Sequence, residues 1–185
     1  FYNLSFACVG INSFDNNSTW GKQPFEWKNV DFILSHELGH SLGVAHANGW
    51  NCGDKSLGDE DGCTHIEYGN YFDTMGGYSR SLHFNALYKE MLGWIKSSQI
   101  LNINKSGTYS INPLEKDSVI KFAKISNYAQ SDTPYYLEYR KAFGFDSKLK
   151  ETDISSNQNG LFINNKKSDI YGFNTSRLID ASPTT

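Results

Sequence analysis

Nowhere in this chain does an apolar run approach the roughly 20 residues a helix needs to cross a bilayer, so no membrane span is expected. Positive charge is not in surplus either. Lys and Arg number 17 against 20 Asp and Glu, a net charge of −3, and the basic stripe of a nucleic-acid-binding protein is missing. There are no internal repeats, and the Asn, Ser and Lys richness is mild bias short of low complexity. The opening residues from Phe1 show no methionine, charged n-region or signal-peptide h-region. They read as a processed or excised piece of something longer, so secretion has to be inferred from other features. What remains is an ordinary globular profile, 38% hydrophobic and 15% aromatic over 185 residues. That suffices for one sizeable core, or for a domain with a small second one.

Cysteine is scarce, at three residues. Cys52 and Cys63 bracket the Gly/Asp-rich loop "CGDKSLGDEDGC", which a disulfide would close, with two free thiols as the alternative. Such a bridge stabilises by ~3 kcal/mol on the chain-entropy argument and implies an oxidising compartment. Cys8 is then the odd one out. It reads as a buried small hydrophobe, or as the partner of a cysteine in a missing segment.

The chain opens with a candidate strand, "LSFACVGI", and a polar loop, "NSFDNNSTWGKQ". From Asn29, a suitable N-cap, Val30, Ile33, Leu34, Leu38 and Leu42 recur at three- and four-residue steps, predicting a helix that Gly43 ends. Residues 47–80 are turn-rich. A second helix is predicted from about Asn85 to Leu92 and is stopped by Gly93. After Ile95, short alternating runs ("SGTYSI", "VIKFAKI", "PYYLEYRK", "GLFIN", "SRLID") predict an antiparallel β module. This divides the chain into residues 1–97 and 98–185. The aromatics of "PYYLEYRK" are expected in the strand core, with a glycan- or protein-binding surface as the alternative.

The first helix carries chemistry. His36 and His40, four residues apart, project from one face about a turn apart, a spacing that lets two imidazoles reach one metal ion at ~2.0–2.1 Å. Glu37 on the neighbouring flank can reach a water held by that ion. A continuing helix would turn the third ligand away, but the chain bends at Gly43 and His46 can return. Three protein ligands and one open position mark a catalytic zinc site. His-Glu-x-x-His also arises by chance, in which case the histidines only cap or pack. Here the glycine and third histidine, at fixed further offsets, favour zinc.

"HELGHSLGVAH" has the His-Glu-x-x-His-x-x-Gly-x-x-His form of the metzincin metalloproteases. "YFDTMGGYS" resembles their methionine turn, with Met75 placed 29 residues after His46. "DTMGGYS" followed by "HFNALYKEMLGWI", and the later "YYLEYRKAFGFD", "GLFIN" and "SRLID", are similar to the gametolysin family of secreted metzincins. The resemblance spans roughly residues 30–182. It implies zinc ligands His36, His40 and His46, Glu37 as general base, and Met75 as a hydrophobic floor. In some metzincins a tyrosine two positions past the methionine touches zinc or the developing oxyanion. Tyr78 lies three positions past, so it is a candidate transition-state donor by analogy only, without a zinc contact. Only 35 residues precede His36, so the sheet expected in front of the zinc helix is incomplete here. "LSFACVGI" is a candidate surviving strand against which a substrate would pair. "FACVG" lacks the flanking residues of a cysteine latency switch.

The expected fold class is therefore α+β: a partial metzincin-like domain (zinc helix, Met-turn, second helix) followed by a small antiparallel β module. The expected function is secreted, zinc-dependent cleavage of extracellular proteins, with wall or matrix glycoproteins suggested by the gametolysin resemblance alone. A mucin-type glycoprotein protease and a catalytically silent binding or adhesin module are the alternatives. Zinc lowers the pKa of water towards ~7, and Glu37 would take that water's proton and return it to the departing amine. Asp54, Asp59, Glu60 and Asp61 could hold calcium, although their spacing matches no EF-hand and a solvated acidic loop suffices. His65 and His83 are expected in loops or at a helix start, and Lys89 and Glu90 on the outer face of the second helix. Protein or glycoprotein substrates are the partners implied; oligomeric state is not legible.

Overall fold

The computed structural model describes residues 30–57, 62–77, 81–126, 133–151, 159–168 and 172–181. The candidate strand "LSFACVGI" with Cys8, the Asn29 cap, Asp59, Glu60, Asp61 and Tyr78 lie outside these residues. Within them the chain is α+β. Two α-helices, α1 (Val30–Ser41) and α2 (Ala86–Met91), accompany seven strands: β1 (Ala47–Asn51), β2 (Thr64–Ile66), β3 (Ile100–Ile103), β4 (Phe122–Ile125), β5 (Tyr135–Lys141), β6 (Asn159–Ser168) and β7 (Asn174–Ile179).

Both helices stop where glycine permits a left-handed turn. Gly43 has φ 95°; its N–H donates to the His40 carbonyl while that of Val44 donates to Gly39, closing the orphan carbonyls of the last turn. Gly93, at φ 72°, follows α2, whose first turn is capped by the Asn85 side chain accepting from the Tyr88 N–H. The apolar stripe that marks α1 in the sequence does not point inward. Leu34, Leu38 and Leu42 are 44%, 51% and 46% exposed, while His36 and Gly39 are buried. The helix meets the body of the protein through its histidine and glycine side, because Gly39 is the place where another segment can come close.

All seven strands form one sheet in the order β2-β1-β7-β6-β5-β4-β3. It is mixed, and this corrects the expectation of an antiparallel module: β3 pairs parallel with β4, and β1 parallel with β7, while the other neighbours are antiparallel. The sheet also runs across residues 97–98, since β1 and β2 come from the first part of the chain. The strand leaving His46 is thus seated against β7, with Ala47 opposite Ser176 and Trp50 opposite Ile179. An apolar core gathers Val44, Ala47, Met75, Leu87, Tyr88, Leu114, Phe122 and Tyr136. A smaller one holds Phe72, Leu82, Leu149 and Phe162.

β5 meets the expected aromatic core only at Tyr136. Its buried side carries Tyr136, Glu138 and Arg140, while Tyr135, Leu137 and Tyr139 are only half-buried. The charges are inside because helix, turn and strand backbones need partners there. Glu138 Oε2 accepts from the Ala86 N–H at 2.6 Å, and Asn164, which donates weakly to Glu138, accepts from Asn70. Arg140 donates to both oxygens of Asp146 at 2.6 Å and to the His83 carbonyl. Burial lifts the Glu138 carboxyl to about 7 despite Arg140. Burial pushes the guanidinium down, but the charges of Asp146 and Glu138 more than reverse this and hold it protonated. Lys89 is likewise buried, not on an outer face. It donates to Glu115 at 2.7 Å, and His83 contacts the other Glu115 oxygen at 2.5 Å. Glu90 accepts from Lys124 of β4.

Candidate metal centre

The three histidines predicted from spacing come together. His36 and His40 leave successive turns of α1 with ring centroids 4.9 Å apart; His46, after the Gly43 bend, brings its centroid to 5.5 Å from His36 and 4.9 Å from His40. One ligand nitrogen of each lies within 4.8 Å of the other two. No other group of three His, Cys, Asp or Glu side chains is so arranged among the described residues.

Each ring is oriented through Nδ1, and each by a different part of the chain. His36 Nδ1 is 2.9 Å from the Thr74 carbonyl oxygen, His40 Nδ1 is 3.0 Å from that of Val44, and His46 Nδ1 is 2.9 Å from Glu67 Oε1. A carbonyl oxygen can only accept, so the first two rings carry their proton on Nδ1, and the Glu67 carboxylate selects the same tautomer for His46. That leaves three Nε2 lone pairs for one ion, the arrangement seen when an outer hydrogen bond fixes a ligating imidazole. Burial pushes His36 down, and burial likewise lowers His46 against the opposing pull of Glu67. Neutral imidazole is the form that binds metal. Three nitrogen donors without a carboxylate among them suit zinc and disfavour calcium or magnesium.

The segment from Asp73 to Gly77 underlies these rings. Asp73 Oδ1 accepts from the Met75 N–H and its Oδ2 from the Asn85 N–H, both at 2.6 Å. Burial raises this carboxyl to about 6, the two backbone bonds opposing it. The Thr74 hydroxyl donates to the Leu82 carbonyl. The Met75 carbonyl accepts from the Ala47 N–H at 2.8 Å, tying the turn to the first residue of β1. The fully buried Met75 side chain lies so close under α1 that a Cβ on Gly39 would overlap its sulfur. Gly76 is needed for the same reason, since a Cβ there would strike the Asn70 carbonyl. The chain leaving His46 is fixed by Tyr88, whose hydroxyl donates to the His46 carbonyl at 2.8 Å and accepts from the Ser176 N–H at 2.9 Å.

Glu37 is half-buried. Its charge acts on His36, His46 and Tyr68, which places the carboxylate at the same cluster, and it makes no side-chain hydrogen bond to a described residue. Cys52 and Cys63 form a disulfide, closing the β1–β2 hairpin. Asp54 is exposed, while Tyr78 and the other three loop acids fall outside the described residues. His65 is exposed on β2, opposite Trp50 of β1.

Two residues beside the histidines carry no recognisable motif. Glu67 holds His46, and the Tyr68 ring lies 3.9 Å from the His46 ring and 6.1 Å from that of His36. Burial raises the Tyr68 phenol, with the charges of Glu67 and Glu37 adding to the effect. The available signal was Gly69, where a Cβ would collide with the backbone of Gly49 and Ile66. That contact presses the Glu67–Tyr68 loop onto the strand leaving His46. No protein-family model, curated protein or solved structure matches this chain.

Proposed function

We propose that the chain is a secreted zinc endopeptidase of metzincin type. The observation that carries this reading is the convergence of His36, His40 and His46 with every Nδ1 already engaged and Glu37 beside them. The likeness of "HELGHSLGVAH" and of the turn at Met75 to metzincins supports it. The disulfide between Cys52 and Cys63 supports an oxidising, extracellular setting.

His36, His40 and His46 would hold zinc through Nε2. Bound there, zinc supplies Lewis acidity towards a peptide carbonyl and acidifies water. Glu37 receives the proton released when water adds to the carbonyl carbon, and delivers it to the amide nitrogen as the C–N bond breaks. Its carboxylate is free to do so because no described side chain occupies it. Burial favours the neutral, metal-binding form of His36 and His46. Wall or matrix glycoproteins are the substrate class suggested by the gametolysin-like segments.

Cleavage of an unbiased peptide mixture, read by mass spectrometry, tests this. Wild-type protein should generate new termini that a chelator abolishes, and Glu37→Ala should bind one zinc yet lose at least about 10²-fold in rate. A folded, zinc-loaded protein that cuts nothing would turn the reading towards a binding module.

A further inference from the structure

Tyr68 is, among the described residues, the one non-glycine residue at positive φ, 59°. For a bulky side chain this conformation is sterically costly, and it persists only where the surroundings impose it. They do so here on both sides of the residue. The Tyr68 N–H donates to Asn48 Oδ1 at 3.0 Å, and its carbonyl accepts from the Gly77 N–H at 2.8 Å. One clamp belongs to β1, which follows His46, and the other to the turn that follows Met75.

The result of this constraint is the position of the ring. It lies 3.9 Å from His46 at 33° and 6.1 Å from His36 at 25°, forming a wall beside the three histidines. Tyr68 is 39% exposed, and its hydroxyl makes no hydrogen bond to any described residue. Covering His46 would need only an apolar ring, and turning the chain would be easier with glycine or asparagine. The hydroxyl is what a strained, half-exposed tyrosine adds.

We propose that Tyr68 is a substrate-contacting residue, whose hydroxyl donates a hydrogen bond to the carbonyl oxygen of the peptide bond held over the three histidines. The proposal rests on the endopeptidase reading. A donor aimed at this oxygen acts mainly as charge develops on it, so its loss lowers kcat more than it raises KM.

The test compares wild type with Tyr68→Phe, which keeps the ring and removes the O–H. Zinc affinity, measured by competition with a chromophoric chelator, and Tm should be unchanged. Two inhibitors built on one cleaved sequence then separate the roles. A phosphinic peptide presents tetrahedral oxygens in place of the reacting carbonyl, whereas the matching thiol peptide presents only sulfur to the metal. The variant should bind the phosphinic peptide about 10- to 100-fold more weakly, bind the thiol peptide equally well, and lose a similar factor in kcat. Equal binding of the phosphinic peptide by both proteins overturns the proposal while leaving the endopeptidase reading intact. A wild type that binds no zinc, or cuts no peptide when loaded, overturns both.

Discussion

Thr74 and His36, 38 residues apart in the chain, are joined by a hydrogen bond of 2.9 Å from the imidazole Nδ1 to the Thr74 carbonyl oxygen. The turn around Met75 therefore does more than fill space beneath the helix. Its backbone sets the orientation of one histidine, while its methionine side chain sets the height at which α1 rides.

The contact between Gly39 and Met75 can be tested by overpacking it. Gly39→Ala introduces a methyl where the Met75 sulfur already sits, and should destabilise by about 1–3 kcal/mol even though alanine is the better helix former. Combining it with Met75→Ala should cost less than the sum of the single changes. A double-mutant cycle in urea should give a coupling of at least about 1 kcal/mol; strict additivity would show that the two residues do not compete for the same space.

Glu67 holds His46 at 2.9 Å without being placed to ligate an ion alongside it. Glu67→Gln preserves the shape and weakens the acceptor, so zinc affinity should fall by roughly 10- to 100-fold. The stoichiometry should remain one ion per chain, whereas His46→Ala should lower both. Chelator competition followed by metal analysis distinguishes these results. An unchanged affinity in Glu67→Gln would remove Glu67 from the site.

Buried carboxyls give a pH dependence with a defined sign. Glu138 rises from 4.5 to about 7 on folding, so the folded chain keeps a proton there that the unfolded chain releases. Its contribution to stability is fully present below about 4.5 and is lost as pH climbs through about 7. Glu138→Gln, which keeps an acceptor for the Ala86 N–H, does not titrate. The stability of the variant relative to wild type should therefore increase between pH 5 and pH 8, by an amount on the order of 2 kcal/mol. Thermal melts across that window check it, and a difference that is flat or of opposite slope would refute the assignment.

The Cys52–Cys63 bridge spans 11 residues and closes the hairpin from which the Glu67 loop emerges. Replacing both cysteines by serine should cost ~3 kcal/mol and weaken zinc binding as well, because the loop carrying Glu67 loses one of its anchors. Loss of stability with unaltered metal affinity would separate the bridge from the site.

Much of the site could be read from residue spacing. His36 and His40 share a helical face, Gly43 can take a conformation that L side chains resist, and the chain beyond it can bring His46 back. Those are local rules, and the structure follows them. The leucine steps locate α1 but do not mark its buried face: Leu34, Leu38 and Leu42 are exposed, and the helix packs through a histidine side that a glycine opens to close approach. In β5, alternation identified the strand but not its inward face, since Glu138 and Arg140 are buried to serve backbone and side-chain partners more than 50 residues away in the cases of Ala86 and His83. Lys89 was misplaced for the same reason, its partner Glu115 lying 26 residues on. Glu67 and Tyr68 follow no local pattern; the pairing of β1 with β2, with the clamps from Asn48 and Gly77, brings them to the histidines.

The pairing of β1 with β7 also determines when this centre can first exist. Ala47, next to the third histidine, finds its strand neighbour at Ser176, and the Tyr88 hydroxyl that clamps the His46 carbonyl is itself held by the Ser176 N–H. Contacts so distant in the chain form late, after the intervening loop has been closed. During synthesis the helix with its histidines emerges long before the strand that frames it. A nascent chain thus carries all three histidines without the scaffold that brings them into register, and the cluster is incomplete until the sheet is built.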